Sequence, residues 1–64
     1  MYDSLTFTTR NDDMEPDFIW ACFTWEDIYY EIGVVLDSEG NVDNTQTLTK
    51  CKNFLHFMLT RPDL

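Results

Sequence analysis

Asp17–Leu36 reads D-F-I-W-A-C-F-T-W-E-D-I-Y-Y-E-I-G-V-V-L, and the period of its apolar residues decides the fold. Ile28, Tyr30, Ile32, Val34 and Leu36 fall at every second position, against Tyr29, Glu31, Gly33 and Val35. Successive side chains of a strand point to opposite faces, so this alternation predicts a strand over residues 28–36. Phe18–Trp25 is apolar on both parities, and its period does not choose. The rival is a long helix starting near Pro16, with Thr24, Asp27 and Glu31 as its polar stripe. Aromatic and β-branched density, Gly33 and the alternation that follows favour two strands.

With Glu26-Asp27 as a tight turn between them, the register follows. Trp25 faces Ile28, Phe23 faces Tyr30, Ala21 faces Ile32, and Ile19 faces Val34; these eight form the core side. Phe18, Trp20, Cys22 and Thr24 share the opposite side with Tyr29, Glu31, Gly33 and Val35. Trp20 then lies across from Gly33, where an aromatic can cover bare backbone. Glu-Asp is not the Asn-Gly type that two-residue hairpins prefer, and a slip of one residue would exchange the faces.

Upstream, Tyr2–Thr9 alternates Leu5 and Phe7 with Ser and Thr and predicts a strand. Arg10–Asp17, R-N-D-D-M-E-P-D, predicts a loop, because Asn and Asp bond locally and Pro16 lacks a donor. Downstream, Leu36–Val42 reads as a second turn with Gly40 free to take a positive φ. Asn41–Asn44 would close the sheet as a short strand. Thr45 or Thr47 offers an N-cap for a helix over Gln46–Leu59. Leu48, Cys51, Leu55 and Met58 recur at helical spacing, Phe54 and Leu59 widen the stripe, and Arg61 and Pro62 mark the stop. The expected fold is α+β, a three- or four-stranded antiparallel sheet with one C-terminal helix packed on one face, in a single small acidic domain, 1–64.

The formal charge of −8 is the strongest global signal. From Asn11 to Thr49 there is no Lys or Arg, yet that span carries Asp12, Asp13, Glu15, Asp17, Glu26, Asp27, Glu31, Asp37, Glu39 and Asp43. Such a surface repels nucleic acid and anionic lipid and attracts basic protein surfaces. Acidic charge also keeps a small aromatic protein soluble, but solubility is ordinarily met by interspersed signs. A hydrophobic content of 44% argues for a folded chain rather than an acidic tail. Sixty-four residues bury only about 60% of their unfolded surface, leaving little room for a catalytic cleft.

Residues that carry chemistry are sparse. His56 is the sole histidine and falls off the apolar helix stripe, beside Lys52, which suits an exposed residue better than a base. Cys22 and Cys51 lack ligand spacing and suit buried reduced thiols of a cytoplasmic protein; a single disulfide is the alternative. Asp37–Asp43 superficially resembles a calcium loop, yet its glycine stands at the fourth place and the terminal glutamate is missing, so a turn is expected. There is no glycine-rich phosphate loop and no apolar run near the ~20 residues of a membrane span, and no secretory signal is expected from Met1-Tyr2-Asp3. No catalytic residue, metal or cofactor is expected.

What remains is a surface. Asp27, Glu31 and Asp37 share a parity, and the acidic loop of Asp12, Asp13, Glu15 and Asp17 leads into the neighbouring strand. A row of carboxylates there would follow the phosphates of a duplex, spaced one charge per ~1.7 Å of axis. Glu26 extends it, and Trp20 and Tyr29, with Phe18, would supply aromatic anchors. The expected partner is a protein with a basic, nucleic-acid-handling surface, engaged without nucleic acid or membrane; a homodimer is compatible with this.

In size, charge and aromatic content the chain resembles phage-encoded counter-defence proteins, including anti-CRISPR proteins and DNA mimics. The resemblance is compositional and carries no residue over. It implies inhibition, in the host cytoplasm, of a CRISPR effector, nuclease or other host enzyme by steric and electrostatic blockade. Two alternatives stay open: an immunity protein or antitoxin neutralising a basic nuclease, and a non-enzymatic oligomer subunit or adaptor.

Overall fold

The computed structural model describes residues 2–60. Strand β1 spans Thr8–Asn11, β2 Ile19–Trp25 and β3 Ile28–Gly33, and helix α1 spans Asn44–Thr60. The three strands form an antiparallel sheet in the order β1-β2-β3, which with the helix makes an α+β fold. No described helix is long and apolar enough to cross a membrane.

The hairpin register is the expected one, with Trp25 opposite Ile28, Phe23 opposite Tyr30, Ala21 opposite Ile32 and Trp20 opposite Gly33. The turn that fixes it is strained: Glu26 and Asp27 take φ of 51° and 67°, a left-handed region that costs L-residues about 1–2 kcal/mol each. Both residues are thus forced into the conformation for which Asn-Gly is preferred.

One face of the sheet carries the core. Ala21, Phe23 and Ile32 pack with Leu5 from the N-terminal segment and with Cys51 and Leu55 from α1. Tyr30 stacks on Phe23 with ring centroids 5.3 Å apart, and Phe54 meets both rings edge-on. The helix period explains why Cys51 and Leu55, four apart, are fully buried while His56 and Phe57 are exposed. Cys22 and Cys51 are free thiols buried on opposite sides of the sheet, and burial raises the pKa of Cys51.

Four boundaries differ from expectation. The first strand is Thr8–Asn11 rather than Tyr2–Thr9, because a Leu5-to-Tyr2 backbone bond turns the leading segment over the core. The third ends at Gly33 rather than Leu36. Asn41–Asn44 forms no fourth strand: one isolated bridge, Leu36 to Val42, closes the turn. Finally, the helix starts at Asn44, capped by Asp43 rather than by Thr45 or Thr47. Asp43 Oδ1 accepts from Gln46 N at 2.9 Å, and its Oδ2 accepts from Gln46 Nε2 at 3.1 Å, an aspartate N-cap held at both oxygens by one residue. The helix stop expected at Arg61 and Pro62 lies outside the described residues.

Candidate functional site

Antiparallel ladders alternate bonded and non-bonded pairs, so one bond fixes the rest. Val34 N–H donates to Ile19 O at 3.2 Å, which turns the backbone groups of Tyr29, Glu31 and Gly33 toward the outer edge of β3. α1 covers part of that edge. Thr47 Oγ1 accepts from Val35 N at 3.0 Å and donates to Val35 O at 3.3 Å, while Lys50 Nζ donates to Gly33 O at 2.7 Å. The ring of Phe18, not Trp20, lies over Gly33; a side-chain Cβ there would stand 3.1 Å from Phe18 Cζ.

The face turned away from the helix holds Trp20, Tyr29 and Glu31, but Glu31 is not a free charge. Arg10 reaches diagonally across β2 and grips it with two prongs, Nε to Oε2 at 2.5 Å and Nη2 to Oε1 at 3.0 Å. Tyr29 O–H donates to Oε2 at 2.9 Å, and Cys22 Sγ lies 3.5 Å from the same oxygen. The Arg10 guanidinium, then the Tyr29 hydroxyl, hold the Glu31 carboxyl down at about 2. Tyr29 is pushed up to about 12 by its bonds with Cys22 and with the Glu31 carboxylate. The middle of the expected acidic row is therefore an internal ion pair.

This pair makes stability depend on pH in a definite direction. The folded carboxyl titrates at about 2, below the roughly 4.3 of an unfolded glutamate. Its contribution is present above the unfolded value and is lost as pH falls from roughly 4.3 toward 2. The melting temperature of Glu31→Gln is expected to lie below wild type at pH 7, with the gap closing across that window. A gap that persists unchanged at pH 2 would show that the pairing does not stabilise the fold.

The other expected residues fall into two separated groups. Asp13, Glu15 and Asp17 are exposed on the β1–β2 loop and form no salt bridge or side-chain hydrogen bond among the described residues, Asp13 lying within the field of Arg10. Asp12 builds that loop. Its Oδ2 accepts from Met14 N at 3.0 Å and Glu15 N at 2.9 Å, and its Oδ1 accepts from Trp20 Nε1 at 2.9 Å. The indole bond, then those of Glu15 and Met14, lower its pKa. Asp37 likewise organises the later turn by accepting from Glu39 N and Asn41 N, with Gly40 at φ 83°.

Because β2 and β3 are antiparallel, the 12–18 loop and the Asp37–Asp43 turn both lie toward the Ile19–Val34 end of the sheet. Glu26 and Asp27 sit at the opposite end, about 20 Å away along the seven residues of β2. Charge therefore gathers at an end rather than along a face. Glu39 and Met14, both exposed at the crowded end, were outside the expected set, whereas Phe18 was expected as an aromatic anchor and is exposed there. No known protein family, curated protein or solved structure matches this chain. What the residues can do must be argued from their own chemistry.

An open depression of about 320 Å³ lies at the crowded end, lined by Asp12, Met14, Glu15, Phe18 and Trp20. Phe18 and Trp20 meet edge to face, with centroids 4.7 Å apart. Among the described residues no group of His, Cys, Asp and Glu is placed to hold a metal ion.

Proposed function

We propose that this protein is a small acidic binding protein that blocks a basic, nucleic-acid-handling surface of another protein, in the manner of DNA mimics and anti-CRISPR inhibitors. The observation that carries this reading is the unneutralised loop. In a chain of net charge −8, Asp13, Glu15 and Asp17 stand exposed at one end of the sheet without a salt-bridge partner among the described residues. A cationic cavity in a partner would find several carboxylates together, and mutual repulsion among them in the free protein favours such an encounter. Glu26 and Asp27 form a second, smaller contact at the hairpin tip. Binding of this kind needs no catalytic residue, metal or cofactor.

A second reading, a subunit held in an oligomer by apolar contact, is favoured by Phe57, Met58 and Leu59, which stand exposed on the final described turns of α1. Salt separates the two. The immobilised protein is expected to retain basic proteins from a cell lysate at about 50 mM salt, where screening is weak, and to release them at about 500 mM. Duplex DNA should displace the same proteins. Reversing the loop charges with Asp13→Lys, Glu15→Lys and Asp17→Lys should cut capture at least about tenfold, chiefly through the association rate, with an unchanged melting curve. Retention that ignores salt, DNA and the reversed charges would overturn the proposal in favour of apolar assembly.

A further inference from the structure

The depression at the acidic end has features that a bare cluster of carboxylates lacks. Its loop is pinned from several sides. Asn11 Nδ2 donates to Pro16 O at 2.7 Å, Phe18 N to Glu15 O at 2.9 Å, and Asp12 N to Phe18 O at 2.8 Å. Gly33 leaves room for the Phe18 ring to seat against β3, which in turn sets Phe18 edge-on to Trp20. Two aromatic rings and two carboxylates thus share one concavity, at a size that suits a single long side chain.

The two carboxylates have different roles. Asp12 already accepts three hydrogen bonds, so it supplies charge but little free valence. Glu15 uses its backbone N–H in the loop and leaves both carboxylate oxygens without a partner among the described residues. Met14 is 88% exposed at the rim, an unbranched thioether able to fold over an aliphatic stem.

We propose that this depression receives one arginine side chain of the basic partner, the guanidinium resting on Trp20 and paired with Glu15. The proposal rests on the binding role above and deepens it. Arginine fits better than lysine because a planar, weakly hydrated cation can stack on an indole and still present paired N–H groups to a carboxylate. A point-charge ammonium satisfies one demand or the other. Lys50 does not fill the place from within, since its ammonium is bound to Gly33 O at 2.7 Å.

The test uses N-acetylarginine methylamide, titrated into the isotope-labelled full chain and followed by NMR. The Trp20 indole N–H, which donates to Asp12, reports the site, and the Trp25 indole, packed on Tyr2, is the internal control. The expected result is a saturable shift of the Trp20 indole and of the Glu15 and Phe18 amides, with Trp25 unmoved. The lysine analogue should bind more weakly, and the neutral isostere N-acetylcitrulline methylamide at least tenfold more weakly. Glu15→Gln, whose side chain holds no part of the fold, should weaken binding at least fivefold. Equal shifts with the citrulline compound, parallel movement of Trp25, or an unchanged Glu15→Gln titration would overturn the site. Because no partner protein is present, failure here leaves salt-sensitive capture standing, whereas loss of capture with a working site removes the blocking role alone.

Discussion

Phe23→Ala is expected to cost about 3–5 kcal/mol, as truncation of a buried aromatic does, and to leave the chain largely unfolded. Phe23 is 3% exposed and is the meeting point of sheet and helix, stacked on Tyr30 and touched edge-on by Phe54. Removing its ring deletes contacts to both partners and opens a void that β2 and α1 cannot both collapse into. Domains have about 5–15 kcal/mol of total stability, and a chain of 64 residues stands toward the low end of that range. Phe57→Ala, at a position 62% exposed, should change stability by no more than about 0.5 kcal/mol. Urea midpoints of the two variants against wild type decide the matter. Equal losses would mean that the helix presents a different face to the sheet.

The buried half of that contrast was legible in the sequence, and the reason is physical. The alternation through Tyr30 and Ile32 selects the register that turns Ala21, Phe23 and Ile32 to one face, so pairing followed from pattern. Ile28, expected on the core side, nonetheless stands 55% exposed beside the hairpin turn. The helix stripe was equally plain through Leu48, Cys51, Phe54 and Leu55, but Met58 and Leu59, expected to extend it, are exposed because they lie past the end of the core. Charge was harder to place. Asp12, Glu31 and Asp37 read alike as acidic residues, yet one caps a loop, one is clamped by Arg10 and one shapes a turn. Which carboxylate stays free depends on neighbours brought in across strands, and Arg10 lies twenty-one positions from Glu31. Likewise Gly33 signalled an aromatic neighbour, but Phe18, not its cross-strand partner Trp20, occupies the space.

Thr47 is the position where pattern misled most, and its replacement by valine is the second large effect expected. Threonine followed by helix-forming residues reads as an N-cap. Here it lies inside α1 at 0% exposure, and its hydroxyl closes the outward-facing edge at Val35. Valine keeps the shape and the branched carbon, and a purely apolar argument would have it stabilise the core. The Val35 carbonyl would still accept from Asp43 N, but the Val35 N–H would lose its acceptor. A buried donor left unpaired costs about 1–3 kcal/mol, so Thr47→Val should destabilise by that amount and speed hydrogen exchange at the Val35 amide. Thr47→Ser, which keeps the oxygen and gives up one methyl, should lose only about 0.8 kcal/mol and leave that exchange rate near wild type. If serine proved the more damaging of the two, the methyl packing of Thr47 rather than its hydroxyl would be what ties helix to sheet.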